Sequence, residues 1–354
     1  MDVVSYKCPN CAAGLAFDIE SQNWDCKFCG SSFTLRQLEE QTPGEQAPAT
    51  TAPEPELESP HDSYGEGAAA FICPSCGGHI VTDQNTAATF CVYCHNPTVL
   101  AARLDKEYRP ARLIPFKIEK DKVMEALMQF CRKRPLLPKD FRHFARKGEV
   151  SGLYVPFWLF DSDVDAQLQG MGHIITTWSD SNYRYTKTDT YQVERKAHLV
   201  FRGIPADGSQ RMEDHLMEAL EPYDYGQMVD FTMGYLSGHL AESYDVDANQ
   251  AGKRAMPRMR ASVEKLMREQ VRRYTRFDTT NMSSQSKNTR STYVMLPVWI
   301  LNADYAGKRY TFAMNGQTGK ITGALPMSWG LFARYFAGIW AALSAVLFVG
   351  GLIL

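Results

Sequence analysis

The sequence predicts a multidomain protein in which two small four-cysteine β-ribbons precede an α+β domain and one C-terminal transmembrane helix. Three observations predict it. Eight of the nine cysteines in the 354-residue chain form four C-x-x-C pairs, and residues 335–354 contain no charge. Residues 102–328 change between helical and strand-like periodicity. With 44% hydrophobic and 22% charged residues, most of the chain has the composition of a folded protein.

The two ribbons are an internal repeat. Residues 6–35 and 71–100 align without a gap at an offset of 65 positions. All four cysteines, the proline of the first C-x-x-C pair, an aspartate and the final leucine coincide. Fourteen residues separate the two pairs in each copy, which is enough for a short hairpin that brings four thiols together.

Paired C-x-x-C motifs at this spacing are typical of structural zinc sites, because two knuckles deliver four thiolates to a tetrahedral ion. The sequence predicts two zinc ions, held by Cys8, Cys11, Cys26 and Cys29 and by Cys73, Cys76, Cys91 and Cys94. A ribbon this short has almost no core, so metal binding supplies its folding free energy, on the order of 10 kcal/mol. The alternatives are a catalytic metal, an iron–sulfur cluster, and His95 as a competing ligand.

The N-terminus has no basic region followed by an apolar stretch, so we expect no secretory signal. The thiolates are then expected in a reducing compartment, where they bind metal instead of forming disulfides. Between the ribbons, residues 39–67 contain eight acidic residues and no lysine or arginine. This composition predicts a flexible linker. The predicted domains are therefore ribbon 1 (1–38), linker (39–67), ribbon 2 (68–101), α+β domain (102–328) and transmembrane helix (331–354).

Helices are predicted in the α+β domain at 121–134 and 258–276. Strands are predicted at 153–161, 173–178 and 183–201, and again within 293–324 around an Asn315-Gly316 hairpin turn. Cys131 falls on the apolar face of the first helix, which predicts a buried core thiol.

The C-terminal stretch has the length expected of a membrane span, since twenty residues of helix extend about 30 Å. Aromatic residues flank it, and Lys308, Arg309, Lys320 and Arg334 lie upstream. This pattern predicts a single-pass protein of the cell membrane with its N-terminal bulk in the cytoplasm. The alternative is a buried core helix.

Charge disfavours nucleic acid as the ligand of the ribbons. Residues 68–100 contain no lysine or arginine, and residues 1–67 have three basic and twelve acidic residues. Phosphate binding requires the opposite balance. Basic residues concentrate instead in 101–150 and 253–276, where anionic lipid headgroups, a solvated helix face and, third, nucleic acid are the interpretations. We expect a protein partner for the ribbons.

No enzyme signature is complete, so the protein is predicted not to be an enzyme and no catalytic or further cofactor-binding residue is expected. Asp161, Asp163 and Asp165 imitate the start of a calcium loop, but Ala166 and Gly172 replace its glycine and glutamate. His215-x-x-Glu218 and His239-x-x-Glu242 lack the second histidine of a zinc protease.

The paired ribbons and the blocks at 201–225, 235–247 and 296–328 resemble a known bacterial family. The chain looks like the TFIIB-type double-zinc-ribbon membrane proteins of YdjG type, which are associated with homologues of phage-shock protein A. The resemblance implies a membrane-anchored adaptor or scaffold that recruits such a partner in an envelope-stress response, with the eight cysteines as its functional residues. The competing function is a nucleic-acid-binding regulator that uses TFIIB-like ribbons.

Overall fold

Short strands dominate the N-terminal third of the chain and three long strands the rest. The computed structural model describes residues 3–41, 68–73, 75–77, 79–101, 104, 109–146 and 148–353. Its strands are β1 (Val3–Val4), β2 (Ala16–Phe17), β3 (Trp24–Asp25), β4 (Ser32–Phe33), β5 (Ala68–Ile72), β6 (His79–Asp83), β7 (Thr86–Phe90), β8 (Pro97–Leu100), β9 (Arg112–Leu113), β10 (Glu149–Ser179), β11 (Arg184–Asp207), β12 (Val229–Asp230), β13 (Leu240–Glu242), β14 (Arg276–Tyr305), β15 (Lys308–Asn315) and β16 (Ile321–Gly323). Its α-helices are α1 (Leu35–Gln41), α2 (Lys120–Arg132), α3 (Phe141–Ala145), α4 (Asp214–Ala219), α5 (Ala248–Glu269) and α6 (Trp329–Ile353).

The chain divides into two units. The first comprises Met1–Val155, Met212–Ser243 and Met295–Leu354, and the second comprises Pro156–Arg211 and Tyr244–Val294. The five consecutive domains expected from the sequence divide the chain differently from these two units, and their boundaries stay a prediction. The predicted linker, residues 39–67, lies outside the described residues after Gln41.

The first unit is built on a sheet with the strand order β1-β8-β7-β13-β10-β14-β15-β16. Its core is aromatic: the Phe116 ring lies 5.0 Å from the ring of Tyr154 and 5.0 Å from that of Trp299, measured between centroids. Helix α2 buries Val123, Leu127 and Cys131. This confirms the predicted helix and the buried thiol, whose pKa burial raises.

The second unit consists of the antiparallel pair β10 and β11, the adjoining part of β14, and α5. Val164, Leu168 and Val193 pack against Met259 and Val263 of the helix. The predicted second helix exists, but it begins at Ala248 and runs through Pro257. The helical periodicity of 258–276 predicts Leu266 on the inward face together with Val263 and Met267, but Leu266 is 40% exposed.

The prediction of a transmembrane helix at 331–354 is wrong. Within the part of the chain that the structure describes, no helix combines the length and the apolar character needed to cross a membrane. The part of α6 whose side chains are described, Trp329–Ala345, is 17 residues long and carries Arg334, whereas a span needs about twenty apolar residues. The side chains of 346–354, within the predicted range, lie outside the described part. The single-pass membrane localisation is wrong with it.

Candidate metal centres

The eight predicted cysteines come together in two groups of four. Cys8, Cys11, Cys26 and Cys29 form the first and Cys73, Cys76, Cys91 and Cys94 the second, with the sulfur atoms of each group all within 4.8 Å of one another. In the first group the Sγ atoms of Cys8 and Cys29 lie 3.5 Å apart, and those of Cys11 and Cys26 lie 3.4 Å apart. In the second, both the Cys73–Cys94 and Cys76–Cys91 distances are 3.7 Å.

These distances fit a tetrahedral metal ion. A metal–sulfur bond of about 2.3 Å places tetrahedral sulfur ligands roughly 3.8 Å apart. A disulfide would require about 2.05 Å, and all eight cysteines are free thiols. Each group could therefore hold one metal ion.

Backbone conformation shapes each C-x-x-C pair into a knuckle. The residue after the second cysteine has a positive φ in all four pairs: 58° at Ala12, 72° at Gly30, 72° at Gly77 and 54° at His95. This left-handed residue turns the following backbone N–H groups towards the sulfur atoms. Hydrogen bonds reach Cys11 from the Ala13 backbone and Cys29 from the Ser31 backbone.

The electrostatics of the two groups favour a bound cation. Hydrogen bonds from the side chain and backbone of Ser31 lower the pKa of Cys29 to about 6. Burial opposes ionisation of Cys91, but backbone N–H groups of Cys94 and Tyr93 lower its pKa to about 7. Burial and the neighbouring thiols raise the pKa of Cys94 to about 12. Repulsion between neighbouring thiolates thus keeps some of the four thiols of each group protonated. A bound divalent cation would allow all four to ionise.

Ribbon 1 is anchored to parts of the first unit that are distant from it in sequence. The indole N–H of Trp24 donates to the Gly234 carbonyl at 2.8 Å. The Ser237 hydroxyl donates to the Leu15 carbonyl at 2.6 Å, and the Phe17 N–H donates to the Ser237 carbonyl at 2.9 Å. The rings of Phe17, Trp24 and Tyr235 lie 5.1–5.2 Å from one another.

Ribbon 2 contributes strands β7 and β8 to the sheet of the first unit. Strand β8 pairs with β1, so that Val3 lies opposite Leu100. Strand β7 pairs with β13, with Ala88 opposite Ala241. Cys91 and Cys94 lie in the turn between β7 and β8, so the second metal group closes the end of a hairpin that belongs to the sheet.

The other candidate ligands have structural roles. His95 occupies the left-handed knuckle position and is not among the ligand atoms of the second group. Asp163 accepts hydrogen bonds from Arg202 and Asn288, and Asp165 pairs with His198 and Lys287. These partners lower the pKa of both carboxyl groups. Asp161 accepts a hydrogen bond from the backbone N–H of Gly203 at 2.8 Å, so all three alternating aspartates are used in cross-strand contacts.

Two features of the site were missed at the sequence level. Three of the four residues between the cysteines of the second knuckles are exposed and hydrophobic: Phe28 in ribbon 1, and Val92 and Tyr93 in ribbon 2. His239, set aside with an incomplete protease motif, is buried against Phe116. The only local signal for the exposed knuckle residues was a large apolar residue inside a turn. No local signal marked the burial of His239.

Comparison with known proteins places the chain in a family. No family model matches it, and no solved structure matches it. It is 33% identical to the uncharacterized protein YdjG of Bacillus subtilis (strain 168) over 337 residues, which cover 95% of this chain and 94% of that protein. Since the similarity spans both ribbons and both units, the chain belongs to the YdjG family.

Proposed function

We propose that this protein is a zinc-stabilised, non-enzymatic adaptor that binds a partner protein through its ribbons. Four thiolates complete the shell of a tetrahedral ion and leave no position for a substrate, which favours a structural role for both metals. Zinc is favoured over iron by the two-knuckle spacing.

The observation that carries this proposal is the exposure of hydrophobic side chains at the knuckles. Phe28 is 83% exposed, Val92 70% and Tyr93 69%. The knuckle backbone holds each of them in a turn beside the metal group, where burial within the ribbon is prevented. Rigid, exposed aromatic and aliphatic residues of this kind are suited to a protein interface, since they gain free energy only when a partner covers them.

Charge supports a protein rather than a nucleic acid as the ligand of the ribbons. Ribbon 2 has no lysine or arginine, and the segment 1–67 has a net charge of −9. A phosphate backbone would be repelled by both. From the family resemblance, we propose a phage-shock-protein-A-like protein of the envelope-stress response as the partner.

A nucleic-acid-binding regulator is the second candidate, and one observation favours it. The segment 253–276 contains nine basic and two acidic residues, and most of its basic side chains on α5 face solvent. Part of this charge is neutralised locally, as in the pair between Arg272 and Glu269 at 3.6 Å. The basic segment belongs to the second unit, so this function would not use the metal centres.

The test compares the full-length protein with a Phe28→Ser/Tyr93→Ser double variant, and with Tyr183→Ser as a control. Tyr183 is 68% exposed but lies on the β10–β11 hairpin of the second unit. We expect a purified phage-shock-protein-A homologue to bind the wild type and the control equally, and the double variant at least tenfold more weakly, with metal content unchanged. Equal binding by all three, or sub-micromolar and salt-sensitive binding of DNA or RNA, would contradict the adaptor function.

A further inference from the structure

A cleft of about 1110 Å³ opens in the first unit beside the metal centres. Residues of both ribbons line it, together with the start of β10 and the turn before β13. Phe28 and Cys94 are among its lining residues, so one exposed knuckle side chain and one metal ligand border the same space. The cleft is therefore continuous with the surface to which the proposed function assigns the partner.

One wall of the cleft contains a buried histidine with an unused polar atom. His239 is 6% exposed, and its Nε2 has no hydrogen-bond partner among the described protein atoms. Its ring stacks on Phe116 at 4.3 Å with 20° between the planes, and lies 6.2 Å from the ring of Trp299. The histidine ring fits here because residue 152 is glycine. A Cβ at that position would lie 2.8 Å from Nδ1 of His239.

The imidazole is neutral, since burial, assisted by the charge of Lys27, lowers the pKa of His239 to about 3. A buried polar atom without a partner destabilises the folded state, because its desolvation is not compensated by a hydrogen bond. A second such atom is Oδ1 of Asp25, and Asp25 also lines the cleft. Two residues that line one cleft and each hold an unsatisfied polar atom point to a ligand that would satisfy both.

The charges of the cleft indicate the sign of that ligand. Its carboxylates are Asp18, Glu20, Asp25, Glu119, Asp121 and Glu149, against the two ammonium groups of Lys27 and Lys120. The rings of Phe17, Phe28, Phe90 and Trp299 also border it. Carboxylates beside aromatic rings attract a cation through both ion pairing and cation–π contact.

The protein's own linker does not suit this cleft, because residues 39–67 contain eight acidic residues and no lysine or arginine. A nucleic acid would meet a net negative wall. The remaining occupant that fits the proposed function is a basic segment of a partner protein, since the lining of the cleft is net acidic.

We propose that the cleft between the two ribbons binds an arginine or lysine side chain of the partner, with Asp25 pairing with the cation and Nε2 of His239 accepting a hydrogen bond from it. This inference rests on the proposed adaptor function and names the chemistry by which the partner is recognised.

The experiment uses the full-length protein with its metal bound and a synthetic glycine–serine decapeptide that carries two arginines. The same peptide with citrulline, the neutral isostere, is the ligand control. The protein variants are Asp25→Asn, which removes the charge without changing shape, and His239→Phe, which keeps the ring and removes the polar atom. Glu125→Gln is the matched control, because Glu125 is exposed on α2 in the same unit and does not line the cleft. Calorimetry measures the peptide affinity and a denaturant titration measures folding.

We expect the arginine peptide to bind the wild type and Glu125→Gln within twofold of each other. Asp25→Asn and His239→Phe should each bind at least fivefold more weakly, and the citrulline peptide should not bind. His239→Phe should fold at least as stably as the wild type, since it removes an unsatisfied buried atom, so weaker binding would not reflect unfolding. Equal affinity for the citrulline peptide, or equal weakening by all three variants, would overturn the inference.

Spermidine serves as a competitor that carries the same charge without a peptide. Tighter binding of spermidine than of the arginine peptide, lost in Asp25→Asn, would overturn the assignment to a protein segment. If the partner protein binds the wild type and Asp25→Asn equally, the cleft inference fails while the adaptor function stands. If no partner protein binds the wild type, the adaptor function itself fails.

Discussion

The indole of Trp24 donates a hydrogen bond to the carbonyl of Gly234 across 210 residues of sequence, at 2.8 Å. The donor belongs to a metal ribbon and the acceptor to a 3₁₀ turn, Met233–Leu236, in the interior of the first unit. Trp24 is 1% exposed. The ribbon is thus part of the fold, and the free energy of metal binding is coupled to the stability of the unit that surrounds it.

The first prediction concerns this coupling. Trp24→Phe should lower the free energy of unfolding by about 2 kcal/mol, because the Gly234 carbonyl loses its buried partner and the smaller ring leaves a gap. Denaturant titration monitored by circular dichroism measures the change. Trp178→Phe is the control, since Trp178 is 50% exposed on the β10–β11 hairpin, and its effect should stay below about 0.5 kcal/mol. Equal effects of the two changes would contradict the anchoring role.

The second prediction concerns the knuckle backbone. His95→Gly should raise stability by about 1 kcal/mol, since His95 has a φ of 54° and glycine adopts that conformation without the cost of a Cβ. Gly30→Ala should lower it by about the same amount, because nothing lies within 4 Å of the added Cβ and only its φ of 72° opposes the change. Loss of metal from His95→Gly would instead identify His95 as a ligand.

A third prediction concerns pH. His239 is buried in its neutral form with a pKa of about 3, below the ordinary 6.5, so the unfolded chain binds a proton that the folded chain does not. The contribution of His239 to the free energy of unfolding is fully present above pH 6.5. It falls by about 1.4 kcal/mol per pH unit as the pH is lowered towards 3. The difference between wild type and His239→Phe isolates this contribution from protonation of the cysteines. A difference that does not change between pH 7 and pH 5 would show that His239 titrates normally.

A fourth prediction concerns the second unit. Arg254 Nη1 lies 2.9 Å from Oδ1 of Asp207, whose side chain is 2% exposed. Arg254→Ala should cost about 3 kcal/mol, because it removes a counter-charge from a buried carboxylate. Arg309→Ala, which removes the exposed pair with Asp304 at 3.2 Å, is the control and should cost less than about 1 kcal/mol. Equal losses in a thermal melt would show that burial does not set the strength of the pair.

The sequence was sufficient for features that depend on local spacing. The four C-x-x-C pairs identified both groups of thiols, because each knuckle is made by consecutive residues and repeats at one spacing. Helix α2 followed from the periodicity of Val123, Leu127 and Cys131 for the same reason.

Features that depend on distant contacts or on competing turns were not predictable. The tight turn between β14 and β15 is at Ala306-Gly307, with φ values of 50° and 75°, whereas Asn315-Gly316 begins the wider loop between β15 and β16. Helix α5 runs through Pro257 because buried Ala251 and Ala255 pack its first turns into the core. The burial of His239 is set by neighbours that are distant in sequence, such as Phe116.

The most direct test of the central claim is the metal content of the purified full-length protein, measured by mass spectrometry of its elements. The structure and the thiolate spacing predict two zinc ions per chain, one lost in Cys8→Ser and the other in Cys73→Ser. Addition of a strong chelator should then unfold the first unit, because the ribbons share its hydrogen bonds and its sheet. One metal ion per chain, iron in place of zinc, or an N-terminal fold that survives chelation would contradict the account.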